Sequence, residues 1–236
     1  MKALTLAFQD DPRFAELKKH RDESGGIHHV WGMDRRITPL LMEALSDTKR
    51  FRLIVTYEER RAREIVEDYR FYSRQTFYYP AKDALFYSAD IHSNNTVQER
   101  LEIFKKIAEG RPCTVVTTIE GLMDKIPSIS HIIENILTIK VGDTLQLDTF
   151  SRKLTTLGYE KTSIVETPGQ FSVRGGIIDI FSLTEECPYR VELWGDDIDS
   201  IRSFDVESQR SMERVEEFVI YPSTEMVLDD VRISKG

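Results

Sequence analysis

A glycine-rich phosphate loop, a cysteine framework and a long apolar run are all missing from this sequence. Its 236 residues include only two cysteines, Cys113 and Cys187, far apart and outside any CxxC spacing. That argues against a structural disulfide framework or a thiolate zinc site, and for a reducing, cytoplasmic setting. No run of about 18 apolar residues exists, so no helical membrane span is expected. The N-terminal MKALTLAFQDDPRF has a lysine and a short apolar run but turns acidic at once, against a signal peptide. A basic excess is absent too. The 32 Lys and Arg face 40 Asp and Glu, for a net charge of −8, which disfavours a broad surface that tracks phosphates. Of the local basic clusters, Lys49-Arg50-Phe51-Arg52 stands alone. Arg60 and Arg63 are interleaved with Glu58, Glu59 and Glu64, as on a solvated helix face.

What is present, 40% apolar and 31% charged residues, suits a globular chain of one or two domains. Residues 1–22 read as a helix that Ser24-Gly25-Gly26 breaks, and Ile27–Trp31 as a short strand. Thr38 before Pro39 predicts an N-cap for a helix over 38–47. FRLIVTY (51–57) is a compact strand signal, and the helix expected over 58–72 puts Ala62, Ile65, Val66 and Tyr69 on one face. An aromatic stretch, Phe77-Tyr78-Tyr79-Pro80, follows. Thr96 and Glu99 match a capping box opening a helix to about residue 109, where Gly110 stops it. CTVVTT (113–118) is another buried strand. Alternating strands and helices over 27–136 predict an α/β domain with a doubly wound parallel sheet.

From residue 137 the pattern changes. LTIKVGD is strand-like, and Asp148–Tyr159 reads as a helix with Leu147, Phe150, Leu154 and Leu157 apolar. Strands at 161–165, 171–181, 189–194 and 197–206 then follow one another through short turns. The division expected is a first domain over 1–136, a smaller inserted α+β domain over 137–212, and a segment over 213–236 whose strand at 215–222 returns to the first domain.

Catalytic constellations are hard to find. The turn at 29–36 lies where a phosphate loop would lie, yet it keeps only Gly32, carries Asp34 where phosphate would sit, and has no GK[ST] triplet. The five histidines lack metal-ligand spacing, and His28-His29 on a strand would point to opposite faces. No nucleophile and base can be paired, and no cofactor or metal is expected.

The strand around 188–194 says more. With a period of two, Tyr189, Val191 and Leu193 form the core side, and Arg190, Glu192 and Trp194 line the opposite one. Trp and Arg are enriched among interface hot spots, although a Trp on a sheet also covers a neighbouring helix in ordinary packing. Arg174 raises a related question. In an unbroken strand over 171–181 it would share a face with Ile178 and Ile180. A bulge at Gly175-Gly176 would reverse that parity and turn Arg174 outward.

Three stretches, "LGYEKTSIVETPGQFSVRGGIIDIF", "PYRVELWGDDIDSIRSFDVESQRS" and "VIYPSTEMVL", resemble the N-terminal, UvrB-homologous region of the bacterial transcription-repair coupling factors (Mfd). The likeness covers nearly the whole chain and is weakest over residues 1–50. It implies a degenerate RecA-like domain, without nucleotide chemistry at 29–36, interrupted by a second domain that docks UvrA. By matching position, Arg174, Arg190 and Trp194 fall where the family places UvrA contacts, with Trp194 commonly Phe there. Glu192 and Lys161 match further contact positions of UvrB, and Ser172 another, with its arginine lost. Residues 77–95 are too short for UvrB's damage-binding hairpin. The resemblance further implies RNA polymerase and DNA contacts through downstream domains, masking of the docking surface by a C-terminal domain, and a chain that is a fragment of a multidomain protein. The leading expectation is a non-catalytic UvrA-binding module in which Arg190→Glu or Trp194→Ala weakens docking without unfolding. The alternatives are a nucleotide-dependent helicase-like ATPase and an independent DNA-binding module.

Overall fold

The computed structural model describes residues 8, 10–24, 26–35, 37–46, 50–82, 91–126, 128–225 and 227, with side chains left out at 24 and 91–94. The first residues of the helix expected over 1–22, Arg36, Lys49 and residues 228–236 lie outside this set. The chain divides into two compact units, formed by the described residues of 1–82 with 112–124 and of 83–111 with 125–236.

In the first unit, β1 (Arg52–Thr56), β2 (Thr76–Tyr79) and β3 (Thr114–Thr118) form a parallel sheet in the order β1-β3-β2. Parallel strands need a crossover, and α3 (Glu59–Arg70) links β1 to β2. Its apolar residues recur at 62, 65, 66 and 69, and Ala62, Ile65, Val66 and Tyr69 are all buried, as the periodicity predicts. The first three pack on Ile54, Tyr78 and Val116, which sit level with one another across the sheet. Preceding this sheet are α1 (Pro12–Ser24) and α2 (Thr38–Leu45), and α5 (Ile119–Met123) follows β3.

Two local expectations fail here. Residues 26–31 form no strand: Ile27 and Trp31 are exposed, and strand-forming residues without a ladder partner stay irregular. Thr38 does not cap α2. The cap is Ile37, and the Thr38 hydroxyl instead donates back to the Asp34 carbonyl at 3.0 Å.

In the second unit, α4 (Ile91–Ala108) starts five residues before the capping box at Thr96 and ends, as expected, before Gly110, whose φ is +64°. After α6 (Ile129–Glu134) and β4 (Leu137–Lys140) comes α7 (Leu147–Thr156). A six-stranded sheet follows, built from β5 (Glu160–Lys161), β6 (Gln170–Arg174), β7 (Ile177–Ile180), β8 (Tyr189–Trp194), β9 (Asp197–Phe204) and β10 (Ser211–Val215). These strands neighbour one another in chain order; β5 and β6 are parallel and every later pair is antiparallel. The strand expected over 171–181 is therefore two strands, and β10 had no forecast.

The last strand, β11 (Glu217–Ile220), pairs antiparallel with β4, not with the parallel sheet. Phe218 and Ile220 sit in the second unit's core, so burial of these two side chains holds the segment that was expected to return to the first domain. That core joins Leu154 and Leu157 at the end of α7 to Phe171, Ile178, Ile180, Val191, Ile198 and Ile201 on one face of the large sheet. Ile198 and Ile201, three apart, reach the same face because β9 carries an extra residue between Glu192 and Leu193 of its partner. No helix among the described residues is long and apolar enough to cross a membrane.

Tyr159 ties this core to the segment after β11. Its buried hydroxyl donates to the Tyr221 carbonyl at 2.7 Å, and burial pushes its pKa above the ordinary value of 10.0. The unfolded chain ionises near that ordinary value while the folded one resists. The stabilisation is therefore complete below about pH 10 and is lost as pH rises further. Tyr159→Phe is expected to destabilise the chain by about 1–3 kcal/mol, by leaving a buried carbonyl unpaired. It should also flatten the alkaline fall in stability, both read from urea unfolding at pH 8 and pH 10.5.

Candidate docking face

Opposite the core, the large sheet carries most of the residues singled out from the sequence. Strand register arranges them in rows. Ser172, Asp179, Arg190 and Arg202 sit level across β6 to β9, and Arg174, Ile177, Glu192 and Ser200 form the next row. Trp194 lies level with Asp197 at the end of the β8–β9 hairpin.

Arg174 is turned to this face, but not by a bulge. β6 and β7 pair in unbroken register, with Arg174 opposite Ile177, so Gly175-Gly176 is the loop of a two-residue hairpin. Gly175 takes φ +60°, which such tight turns require and glycine supplies without strain. Gly176 lies close under β8, accepting from the Leu193 N–H at 2.8 Å. A Cβ there would come within 3.0 Å of the Leu193 carbonyl oxygen. The expectation of a bulge at these glycines is overturned, because reversal of the chain itself puts Arg174 outward. The irregularity lies instead on β9, next to Trp194.

At the centre of the face is a residue that sequence reasoning missed. The Asp179 carboxylate is fully buried. Its Oδ1 accepts from Arg190 Nε at 2.7 Å, and its Oδ2 from Arg190 Nη2 at 2.9 Å and Arg174 Nη2 at 2.6 Å. Arg190 has no donor nitrogen to spare. Its Nη1 donates to the Gln209 carbonyl at 3.1 Å, and its guanidinium lies 4.5 Å over the Phe204 ring. Hydrogen bonding to Asp179 raises its pKa above the usual arginine value. Gln209 is itself held in the left-handed region at φ 57°, and its side-chain amide donates to the Val206 carbonyl at 2.8 Å. The β9–β10 connection thus covers Arg190, whose side chain is 14% exposed, whereas that of Arg174 is 46% exposed.

The other residues divide as clearly. Glu192 is half-buried and accepts from the Ser200 hydroxyl at 2.7 Å. Trp194 is 84% exposed, presented beside Gly195, whose φ of +65° fits the first central position of a two-residue hairpin turn. Ser172 is buried. Lys161 is exposed on β5 and level with Phe171, a core residue, so register assigns it to the other side of the sheet from Asp179. The structure brings Arg174, Arg190, Glu192 and Trp194 onto one face and leaves Lys161 off it.

At the turn considered for phosphate, Gly32 has φ +75° and His29 stacks on Trp31 with centroids 5.5 Å apart. The Asp34 carbonyl takes the N–H groups of Ile37 and Thr38 at the start of α2, both at 3.1 Å. Among the described residues no group of three or more His, Cys, Asp and Glu is arranged to hold a metal ion.

Burial of Asp179 argues against the expectation that reversing Arg190 spares the fold. Arg190→Glu places a second carboxylate against one with no access to water, and breaking a buried pair costs about 3–5 kcal/mol. A urea midpoint unchanged from wild type would contradict this.

Comparison with known proteins adds a family to the geometry. Residues 137–226 match the UvrB interaction domain. Over 236 residues, 99% of this chain, it is 30% identical to the transcription-repair-coupling factor of Staphylococcus aureus strain USA300. It is 29% identical over 185 residues, 78% of this chain, to that of Bacillus subtilis strain 168. These stretches cover 20% and 16% of the two relatives, so the chain spans about a fifth or less of their length.

Proposed function

We propose that this chain, whose residues 137–226 match the UvrB interaction domain and which is similar over nearly its whole length to transcription-repair-coupling factors, is a non-catalytic module that docks UvrA in transcription-coupled repair. The observation that carries this reading is Trp194, a large ring left 84% exposed at the end of a tight hairpin. Core packing has no use for it there, and a partner gains a large apolar anchor. The half-exposed Arg174 guanidinium and the Glu192 carboxylate lie in the adjacent row, where charge-assisted bonds set register more than affinity.

The parallel β1-β3-β2 sheet with its crossover helix supports reading the first unit as a degenerate RecA-like domain. The α2 start supports an absence of nucleotide chemistry, since two backbone N–H groups that a phosphate would need are taken by the Asp34 carbonyl. No observation favours the ATPase or DNA-binding alternative. RNA polymerase and DNA contacts, and any masking of this face, are assigned to the parts of such proteins that lie beyond this chain's share of their length. The cytoplasm is the setting this role requires.

Because Trp194 is exposed, its truncation tests docking without disturbing the core. Trp194→Ala is expected to leave the melting temperature unchanged and to weaken UvrA binding by about 2–4 kcal/mol, measured by calorimetric titration. Wild-type affinity in this variant would overturn the reading.

A further inference from the structure

Resting on that docking reading, we propose that Asp179 is a positioning residue, holding Arg174 for the partner, and that Arg190 acts from behind the face through Asp179 and not as a contact. Asp179 is buried completely and so cannot touch a docked protein. Its Oδ2 fixes one edge of the Arg174 guanidinium through Nη2 at 2.6 Å. The Arg174 side chain remains 46% exposed, with Nε and Nη1 making no hydrogen bond to the described residues. A free arginine samples many rotamers that binding must freeze. Here the rotamer is selected before the partner arrives.

Arg190 has the opposite geometry. Two of its nitrogens go to Asp179 and the third to the Gln209 carbonyl, with Phe204 beneath the guanidinium plane. It serves to balance the buried carboxylate and to fix its orientation, so that the remaining lone pair on Oδ2 points at Arg174. Two guanidiniums on one carboxylate leave a single net positive charge at this point of an otherwise acidic chain, and its exposed part is Arg174. The other charged groups on these rows are Glu192 and Arg202, which lie 4.0 Å apart, and Arg214, level with Arg202 on β10. Arg190 falls at a family contact position by sequence match, so the inference reassigns it from contact to support.

A double-mutant cycle on the whole chain, with calorimetric titration of UvrA, tests this. Arg174→Gln is expected to weaken binding roughly tenfold, as loss of an interface arginine commonly does. Asp179→Asn should weaken it comparably. The double variant should bind no more weakly than Arg174→Gln alone, because Asp179 acts only through Arg174. Where Asp179→Asn lacks a cooperative melt, Arg190→Lys replaces it in the same cycle, since it keeps the charge but not the fork geometry. It should weaken binding when Arg174 is present and have no further effect on Arg174→Gln. Additive losses in either cycle would overturn the proposal, as a contact or a general loss of structure gives additivity. The Trp194→Ala arm separates the two layers. If it weakens binding while the cycles add, only the positioning role falls; if wild type shows no binding at all, the docking reading falls with it.

Discussion

A carboxylate sealed from water between two guanidiniums is the constraint on which the outer face of this domain depends. Asp179 lies between Ile178 and Ile180, whose side chains face the core, so alternation forces it to the opposite side. An ionised group there needs a full set of partners, and three charge-assisted hydrogen bonds supply them. Such a pair adds little net stability compared with an apolar replacement, yet removing one partner is severe. Its value is geometric. It fixes where Arg174 and Arg190 point, recruits the Gln209 turn as a cover, and leaves one half-exposed cation on the surface.

Two glycine turns complete that geometry. Gly175-Gly176 reverses the chain so closely under β8 that a side chain at Gly176 would press on the Leu193 carbonyl. Gly195, at φ +65°, opens the turn from β8 to β9, carrying Trp194 to the tip. The extra residue on β9 lets Ile198 and Ile201 share the core while the strand bends beside the hairpin end. The groups proposed to bind thus stand on strands and tight hairpin turns, whose positions the core sets, and not on long loops. Little rearrangement is then needed for a partner to dock.

The sequence showed some of this plainly and hid the rest for definable reasons. Alternation on β8 separated Arg190, Glu192 and Trp194 from Tyr189, Val191 and Leu193, and helical periodicity picked out the buried face of α3. The hairpin at Gly175-Gly176 was also there to be seen, since two apolar runs around a glycine pair signal a two-residue turn; treating 171–181 as one strand concealed it. Asp179 was invisible because its meaning depends on which residues lie across from it on β6 and β8. That register follows only from the turn. The commitment of Arg190 to Gln209 was hidden likewise, as it comes from an irregular connection. Thr38 and Thr96 misled in a simpler way, because capping residues recur inside and beside helices whose ends other contacts decide.

The central claim is that this one face, organised by Asp179, receives UvrA. Amide hydrogen exchange of the whole chain, measured with and without UvrA, tests it most directly. The account predicts that slowed exchange concentrates in the two hairpins around residues 172–178 and 191–197, with the parallel-sheet unit unaffected. Protection that bypasses both hairpins, or that appears chiefly in the parallel-sheet unit, would contradict it.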